Sequence, residues 1–458
     1  MHNEGLVNTK AILKKTGLGL LCFSAVMLMG CSDDELDSSG NPDAEASKQV
    51  TPSPCFWVGP YNIEHPDRNF AYPDTGANYW HAGYILPIGA TLKLNGQYPY
   101  ARYISINSYR ADTSPASSLT DRDIEPDQGD FNPYQQGAER QNASRDFTIA
   151  LANGTPDGEA PSNTLYDHAE PGDKSTLIYR IYVADEGSDE FGNVELPAVE
   201  LTLDTGEVLV GDQACSALQV DTDNLAIPLI PAETYQQVRA NPAVEPARNP
   251  AVWRAAYNGT FGFQCAFLGR CDGTPERQVT YYANADNQYV STFLNNDFGA
   301  VAVTRGKLPL VPKTLASEAI FDERESQLRY WSICQNEYYS QMVTDCIYDE
   351  QLAVDEDGYY TIVTSLLDDK PLNATNECGY NYLAWTEKGD GFGRVVKGGV
   401  NRLNEALLIV RNMLPKEDFH QAIQNTSVPG DEYVMMGEYL PTTEYMSRAD
   451  FEGLGCNY

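Results

Sequence analysis

The feature that most constrains this chain is an internal echo. The stretch Gly89 to Ile106, GATLKLNGQYPYARYISI, is heard again as GAVAVTRGKLP from Gly299 and RYWSI from Arg329. Tyr72 and Tyr282 open the two copies, Tyr79 and Tyr289 follow at the same interval, and Gly89-Ala90 and Gly299-Ala300 come next. Gly96 and Pro99 match Gly306 and Pro309 at identical offsets. Further on, Thr148-Ile149 answers Thr361-Ile362, Asn163-x-Leu165 answers Asn381-x-Leu383, and Leu177-Ile178-x-Arg180 answers Leu408-Ile409-x-Arg411. The blocks keep their order while the spacings vary, as loop insertions in a duplicated architecture would produce.

The blocks read as strands. Period-two alternation sets Arg102, Ile104 and Ile106 on one face, and Arg329, Trp331 and Ile333 on the corresponding face of the second copy. Asp204-Thr205-Gly206 and Asp355 to Gly358 look like hairpin turns. Helical signals are short: 233–240, 417–423 and 447–451, where Ser447 and Asp450 resemble a capping box. The expectation is a mainly β chain of two related β-sandwich or jelly-roll halves with few short helices. The first β domain spans 55–220, a Pro-rich connecting segment 221–275, and the second β domain 276–458.

The N-terminus predicts a location. Lys10, Lys14 and Lys15 precede an apolar run from Leu18 to Met29 that is too short to span a bilayer, which reads as a signal peptide over 1–30. Its end, Leu28-Met29-Gly30-Cys31, resembles a bacterial lipobox, so Cys31 is the expected site of acylation. Residues 31–54 then form a polar, disordered tether. More than one acyl chain holds a protein firmly on a membrane that it does not cross. Ser32 after the cysteine looks like an outer-membrane address, on the periplasmic or surface face.

Eight cysteines remain after Cys22 and Cys31, an even number that suits disulfides outside the cytosol. The local pairs Cys265 with Cys271 and Cys334 with Cys346 are the expected ones; no C-x-x-C pair points to zinc. With 31 Lys and Arg against 65 Asp and Glu, the formal charge of −34 repels nucleic acid and anionic lipid heads.

In the second half WSI, DGYYTIV, NYLAW and LLIVRNMLP occur in that order. Over about 90 residues this resembles the C-terminal β domain of exported bacterial proteins of unknown function that pair two β domains in one chain. Where that pattern has Asn-Trp-Leu, this chain has Asn381-Tyr382-Leu383, with Trp385 two residues later. The resemblance implies a fold and no particular chemistry.

Motifs for established chemistries are absent: there is no G-x-S-x-G elbow, P-loop or H-E-x-x-H, and Gly389-x-Gly391-x-Gly393 reads as a flexible loop. Asp121, Asp123, Glu125 and Asp127, followed by Asp130, place oxygen ligands at alternate positions, which suits Ca²⁺. Pro126 stands where an EF-hand needs Gly, and an acidic surface loop explains the run as well. No other cofactor is expected. Aromatic residues with few polar groups suit a saccharide or a small apolar ligand, which makes Trp80, His81, Arg102, Arg329 and Trp385 candidate ligand-binding residues. Two readings follow. One is a membrane-anchored binding or scaffold protein with a site in or between two β lobes; the other is an exported hydrolase or lyase using carboxylates and His81.

Overall fold

The computed structural model describes residues 51–456 except 227–229, 242, 274, 276, 278–280 and 386–403. The signal segment, Cys31, most of the tether and the Gly389-x-Gly391-x-Gly393 run lie outside the described residues. The chain is mainly β, with four sheets and five short α-helices among the described residues.

The first lobe holds β1 (Val58–Tyr61), β2 (Ala77–Ile85), β3 (Thr91–Gln97), β4 (Ala101–Tyr109), β5 (Pro115–Thr120), β6 (Asp146–Ala152), β7 (Thr164–Tyr166), β8 (Lys174–Ala184), β9 (Ala198–Thr202) and β10 (Val208–Val210). The second holds β11 (Arg254–Ala255), β12 (Asn287–Asn295), β13 (Val301–Lys307), β14 (Tyr330–Asn336), β15 (Val343–Tyr348), β16 (Tyr359–Ser365), β17 (Asn381–Ala384), β18 (Glu405–Met413) and β19 (Thr442–Met446). The helices are α1 (Gly211–Ala217), α2 (Ala232–Arg239), α3 (Gly259–Leu268), α4 (Glu432–Met435) and α5 (Arg448–Gly453).

In the first lobe the sheet β1-β2-β8-β4-β5 packs on β10-β9-β3-β6-β7; in the second, β11-β12-β18-β14-β15 packs on β17-β16-β13-β19. Each strand of the first lobe except β10 therefore has a counterpart ten strand numbers later, in the same place. The register agrees as well: Tyr79 lies opposite Arg180 as Tyr289 lies opposite Arg411, and Ser105 opposite Arg180 as Ser332 opposite Arg411. Asn163 and Asn381 make the same clamp. Each donates to the carbonyl of a threonine one strand over, Thr148 or Thr361, and exchanges bonds with a loop backbone, Glu125 or Ala353. Strand β11 falls in the stretch read as a connecting segment, yet it belongs to the second lobe's sheet. Of the helical signals, 233–240 and 447–451 correspond to α2 and α5, and the Ser447 side chain caps α5. Residues 417–423 lack an α-helix: the short run after Pro415 forms turns and a single 3₁₀ turn at Ile423–Asn425, too little to offset helix nucleation.

Each lobe has an apolar core between its sheets. Ile104 and Ile106 of β4 meet Leu94 and Ile149, and Trp331 and Ile333 of β14 meet Tyr360 and Ile362. A fully buried Ile contributes about 2 kcal/mol of transfer free energy. The other face of the inner sheets is not solvated. All nine residues of β4 and all seven of β14 are buried, because the two inner sheets cover each other through Tyr103, Tyr182, Tyr330, Tyr348 and Met413. Tyr182 and Tyr330 meet edge to face with ring centroids 5.1 Å apart, an arrangement that aromatic quadrupoles favour.

Ion pairs cross this interface reciprocally. Arg102 at the start of β4 forks onto Asp349 at 2.7 and 2.8 Å, while Arg329, which immediately precedes β14, donates to Asp121 at 3.0 and 2.9 Å. Each aspartate directly follows the last strand of its sheet and also accepts a backbone N–H from its own lobe, Ile104 for Asp121 and Trp331 for Asp349. Glu350 and Glu323 complete the two clusters. All four paired side chains are buried, so removal of one partner strands a charge away from water. Arg102→Met and Arg329→Met are each expected to lower unfolding free energy by about 3–5 kcal/mol, read as matching losses in urea midpoint for the two variants.

Candidate functional site

Two adjoining cavities open where the lobes meet. The larger, about 250 Å³, lies between α3, the face of β11, β12 and β18, and the loop from Tyr338 to Gln341. Its walls are aromatic, with Tyr257, Phe261, Phe263, Tyr289, Phe293 and Tyr338 prominent. The smaller, about 70 Å³, lies between β2 and β8 of the first lobe and the approach to β12. Ala71, Tyr72, Tyr281, Ala283, Tyr289 and Arg411 line both.

The dividing wall is built by unusual backbone. Ala71, Tyr72, Tyr281, Tyr282 and Gln341 all have positive φ between 54° and 63°, a region that residues with a Cβ seldom occupy and that costs on the order of 1–3 kcal/mol each. Reciprocal bonds hold it. Tyr72 N–H donates to Gln341 O at 2.8 Å and Tyr282 N–H to Thr113 O at 3.1 Å. The Arg411 guanidinium donates to Tyr72 O at 2.7 Å, and that of Arg180 to Tyr282 O at 2.6 Å. Strain of this kind, over-determined by its surroundings, marks binding sites more often than plain connections.

The charge of the walls is the reverse of the charge of the chain. Among the described residues the larger cavity is lined by Arg248, Arg254 and Arg411, the smaller by Arg180 and Arg411, and neither has an Asp or Glu in its wall. An unpartnered polar atom also faces this region: Gln341 Oε1 is buried without a hydrogen bond, and the residue lines the larger cavity.

Of the candidate ligand-binding residues singled out from sequence, only His81 reaches the cavities. Its Nδ1 lies 3.1 Å from Tyr61 Oη. Burial pushes its pKa down to about 4, against a pull upward from Asp221, so the ring is neutral at pH 7. Trp80 does not offer a ligand platform: it is 2% exposed and stacked on Phe191 in the first core. Trp385 is likewise packed in the second core. Arg102 and Arg329 are spent on the inter-lobe pairs and line neither cavity.

The carboxylates expected to bind Ca²⁺ do not converge. Asp121 turns inward to Arg329, Asp123 and Glu125 are exposed, and Asp127 accepts a bond from Thr148 Oγ1 at 3.0 Å. A turn over these residues destroys the alternation that would have aligned them. The one compact set of metal-type side chains among the described residues, Asp74 with Cys334 and Cys346, is occupied by a disulfide. Cys265–Cys271 and Cys334–Cys346 are bonded, as are Cys55–Cys215 and Cys378–Cys456. Arg180, Arg411 and the aromatic wall of α3 were not recognised in the sequence as site residues. Arg180 and Arg411 do close the last repeated block, which is the signal that could have found them.

No family model and no curated protein matches this chain. Among solved structures it is similar to an uncharacterised protein from Burkholderia cenocepacia, at 12% identity over 84% of this chain and 80% of that one, with a TM-score of 0.42. A protein from Vibrio parahaemolyticus is similar at 10% identity over 81% of this chain and 89% of that one, with a TM-score of 0.36. A biofilm-associated protein domain is similar at 10% identity, with a TM-score of 0.19.

The lowered pKa of His81 has a definite sign. An unfolded histidine binds a proton near pH 6.5 and the folded one only near 4, so this group's stabilising effect is complete above pH 6.5 and is lost as pH falls toward 4. His81→Gln is expected to flatten the fall in unfolding free energy across that window by about 3 kcal/mol, measured by denaturant titration at a series of pH values.

Proposed function

We propose that this is an envelope lipoprotein, held by acylated Cys31 on the outer membrane, which binds a small, largely apolar acid in the crevice between its lobes. The observation that carries the binding reading is the wall composition: aromatic side chains and four arginines, of which Arg411 alone is paired, with Asp74 outside either wall, and no Asp or Glu lining the cavities among the described residues, in a chain of net charge −34. An acidic surface around a cationic, low-dielectric cleft focuses the field there and selects anionic over cationic ligands. A saccharide fits less well, because its hydroxyl donors need acceptors and these walls supply chiefly guanidinium and phenol groups. The four disulfides suit an oxidising compartment outside the cytosol. No helix among the described residues is long and apolar enough to cross a membrane.

Hydrolysis or elimination is the weaker reading. A general base works best with a pKa near the operating pH, whereas His81 is held near 4 and bonded to Tyr61. Among the described residues no carboxylate stands in either wall to complete an acid–base pair.

The test is fluorescence titration of the full-length protein in nonionic detergent with N-phenyl-1-naphthylamine, a neutral aromatic probe. Saturable binding is expected, weakened at least about tenfold by Ser291→Phe, which places a ring in the larger cavity; a one-decade change is about 1.4 kcal/mol. Probe affinity unchanged by Ser291→Phe would overturn the assignment of this cavity. Cys31→Ala should move the protein from the membrane fraction to the soluble one.

A further inference from the structure

The two lobes share several polar contacts at their interface, and one difference between them falls inside the smaller cavity. Arg411 and Arg180 are equivalent residues. Each lies opposite a tyrosine, Tyr289 or Tyr79, and each donates to the carbonyl of the strained residue leading into the other lobe's sheet. Each also donates to the side chain at the same position of the neighbouring strand, Cys334 Sγ for Arg411 and Asn107 Oδ1 for Arg180. Both are fully buried, with 2% of the residue exposed.

Their counter-charges differ. Arg411 has Asp74, whose Oδ2 lies 3.5 Å from its Nη1. Asp74 stands five residues before Tyr79, and its Oδ1 accepts the Gly76 N–H at 2.9 Å. Five residues before Tyr289 stands Asn284, whose Oδ1 accepts the Asp286 N–H at 3.1 Å in the same turn. Where one lobe has a carboxylate paired with the opposite arginine, the other has a neutral amide, whose Nδ2 donates to Tyr103 Oη at 3.0 Å. Among the described residues Asp286 makes no ion pair with Arg180, and its Oδ2 accepts from Tyr103 and Thr120. Among the described residues no ion pair involves Arg180. Asn107, Tyr109 and Tyr282 take three of its five N–H groups, and no carboxylate neutralises it.

A guanidinium remains charged at any ordinary pH, and although Arg180 is hydrogen-bonded and lies over the Tyr79 and Tyr109 rings, no opposite charge balances it in this buried place. Arg180 and Asn284 both line the smaller cavity, with Tyr61, Tyr79 and His81 around them. We propose that this cavity is a carboxylate subsite, in which the acid group of the ligand, held within the cavity, supplies to Arg180 the counter-charge that Asp74 supplies to Arg411. The proposal rests on the reading of the crevice as a ligand site, and it assigns the two ends of the ligand: the acid at Arg180, the apolar body across the wall of Tyr72, Tyr281 and Tyr289. Asn284 leaves the position neutral, so that the ligand, and not the protein, supplies the negative charge.

Isothermal titration of the full-length protein in nonionic detergent with 3-phenylpropionate, and separately with the isosteric 3-phenylpropionamide, tests this. The acid is expected to bind at least about tenfold more tightly than the amide. Asn284→Asp should abolish that preference and raise the thermal midpoint of the unliganded protein, because it supplies the missing charge from within. Asn284→Ser, neutral and smaller, should keep the preference. Equal binding of acid and amide, binding of neither, or an acid preference that survives in Asn284→Asp would each overturn the carboxylate subsite. Binding of the neutral naphthylamine probe reports on the larger cavity alone, so failure of that reading and failure of this one are told apart.

Discussion

The structure depends on an exchange of charges between its halves. Arg102 reaches Asp349 and Arg329 reaches Asp121, so each lobe contains an arginine whose counter-ion lies in the other. Such buried pairs add little net stability compared with apolar packing of the same shape. What they supply is specificity of docking, since any other placement of the inner sheets would strand guanidinium and carboxylate groups without water. The tyrosine layer between the sheets provides the contact area, and the ion pairs fix its alignment. With alignment fixed, the strained Ala71-Tyr72 and Tyr281-Tyr282 segments are held against each other's lobes and the cavities keep their shape.

Much of the β architecture was legible in the sequence. The repeated blocks were short, but each falls on an equivalent strand in equivalent register, and the Asn163 and Asn381 clamps show why those residues recur: both stitch a strand edge to a loop backbone. The site was less legible, for a physical reason. Strands β4 and β14 alternate apolar with polar or aromatic residues, a pattern that ordinarily means one face in water. Here that face is buried against its own counterpart, and Arg102 and Arg329, at the strand ends on the opposite, apolar face, looked free to meet a ligand when they were already paired across the lobes. Trp80 misled in the opposite sense, since an aromatic residue beside a histidine suggested a platform and the ring is core. Arg180 and Arg411 were visible only as repeat markers, because nothing in one strand shows which side chain faces it from the other lobe.

The cavities make sense of the chain's charge. A net charge of −34 drives anions away from most of the surface. The arginine-lined crevice stands against that background, so an acid that enters exchanges a repulsive surface for a local attractive field. His81, kept neutral by burial, adds polarity to this place without adding charge.

The crossing pairs also bear on how such a chain reaches its folded state. Asp349 lies 247 residues beyond Arg102 in sequence. A chain made from its N-terminus delivers the whole first lobe well before the residue that neutralises Arg102. Until that residue arrives, the inner sheet of the first lobe presents bare tyrosines and an uncompensated guanidinium. Their matching plans therefore do not make the two lobes independent folding units: the inner face of each is completed by the other.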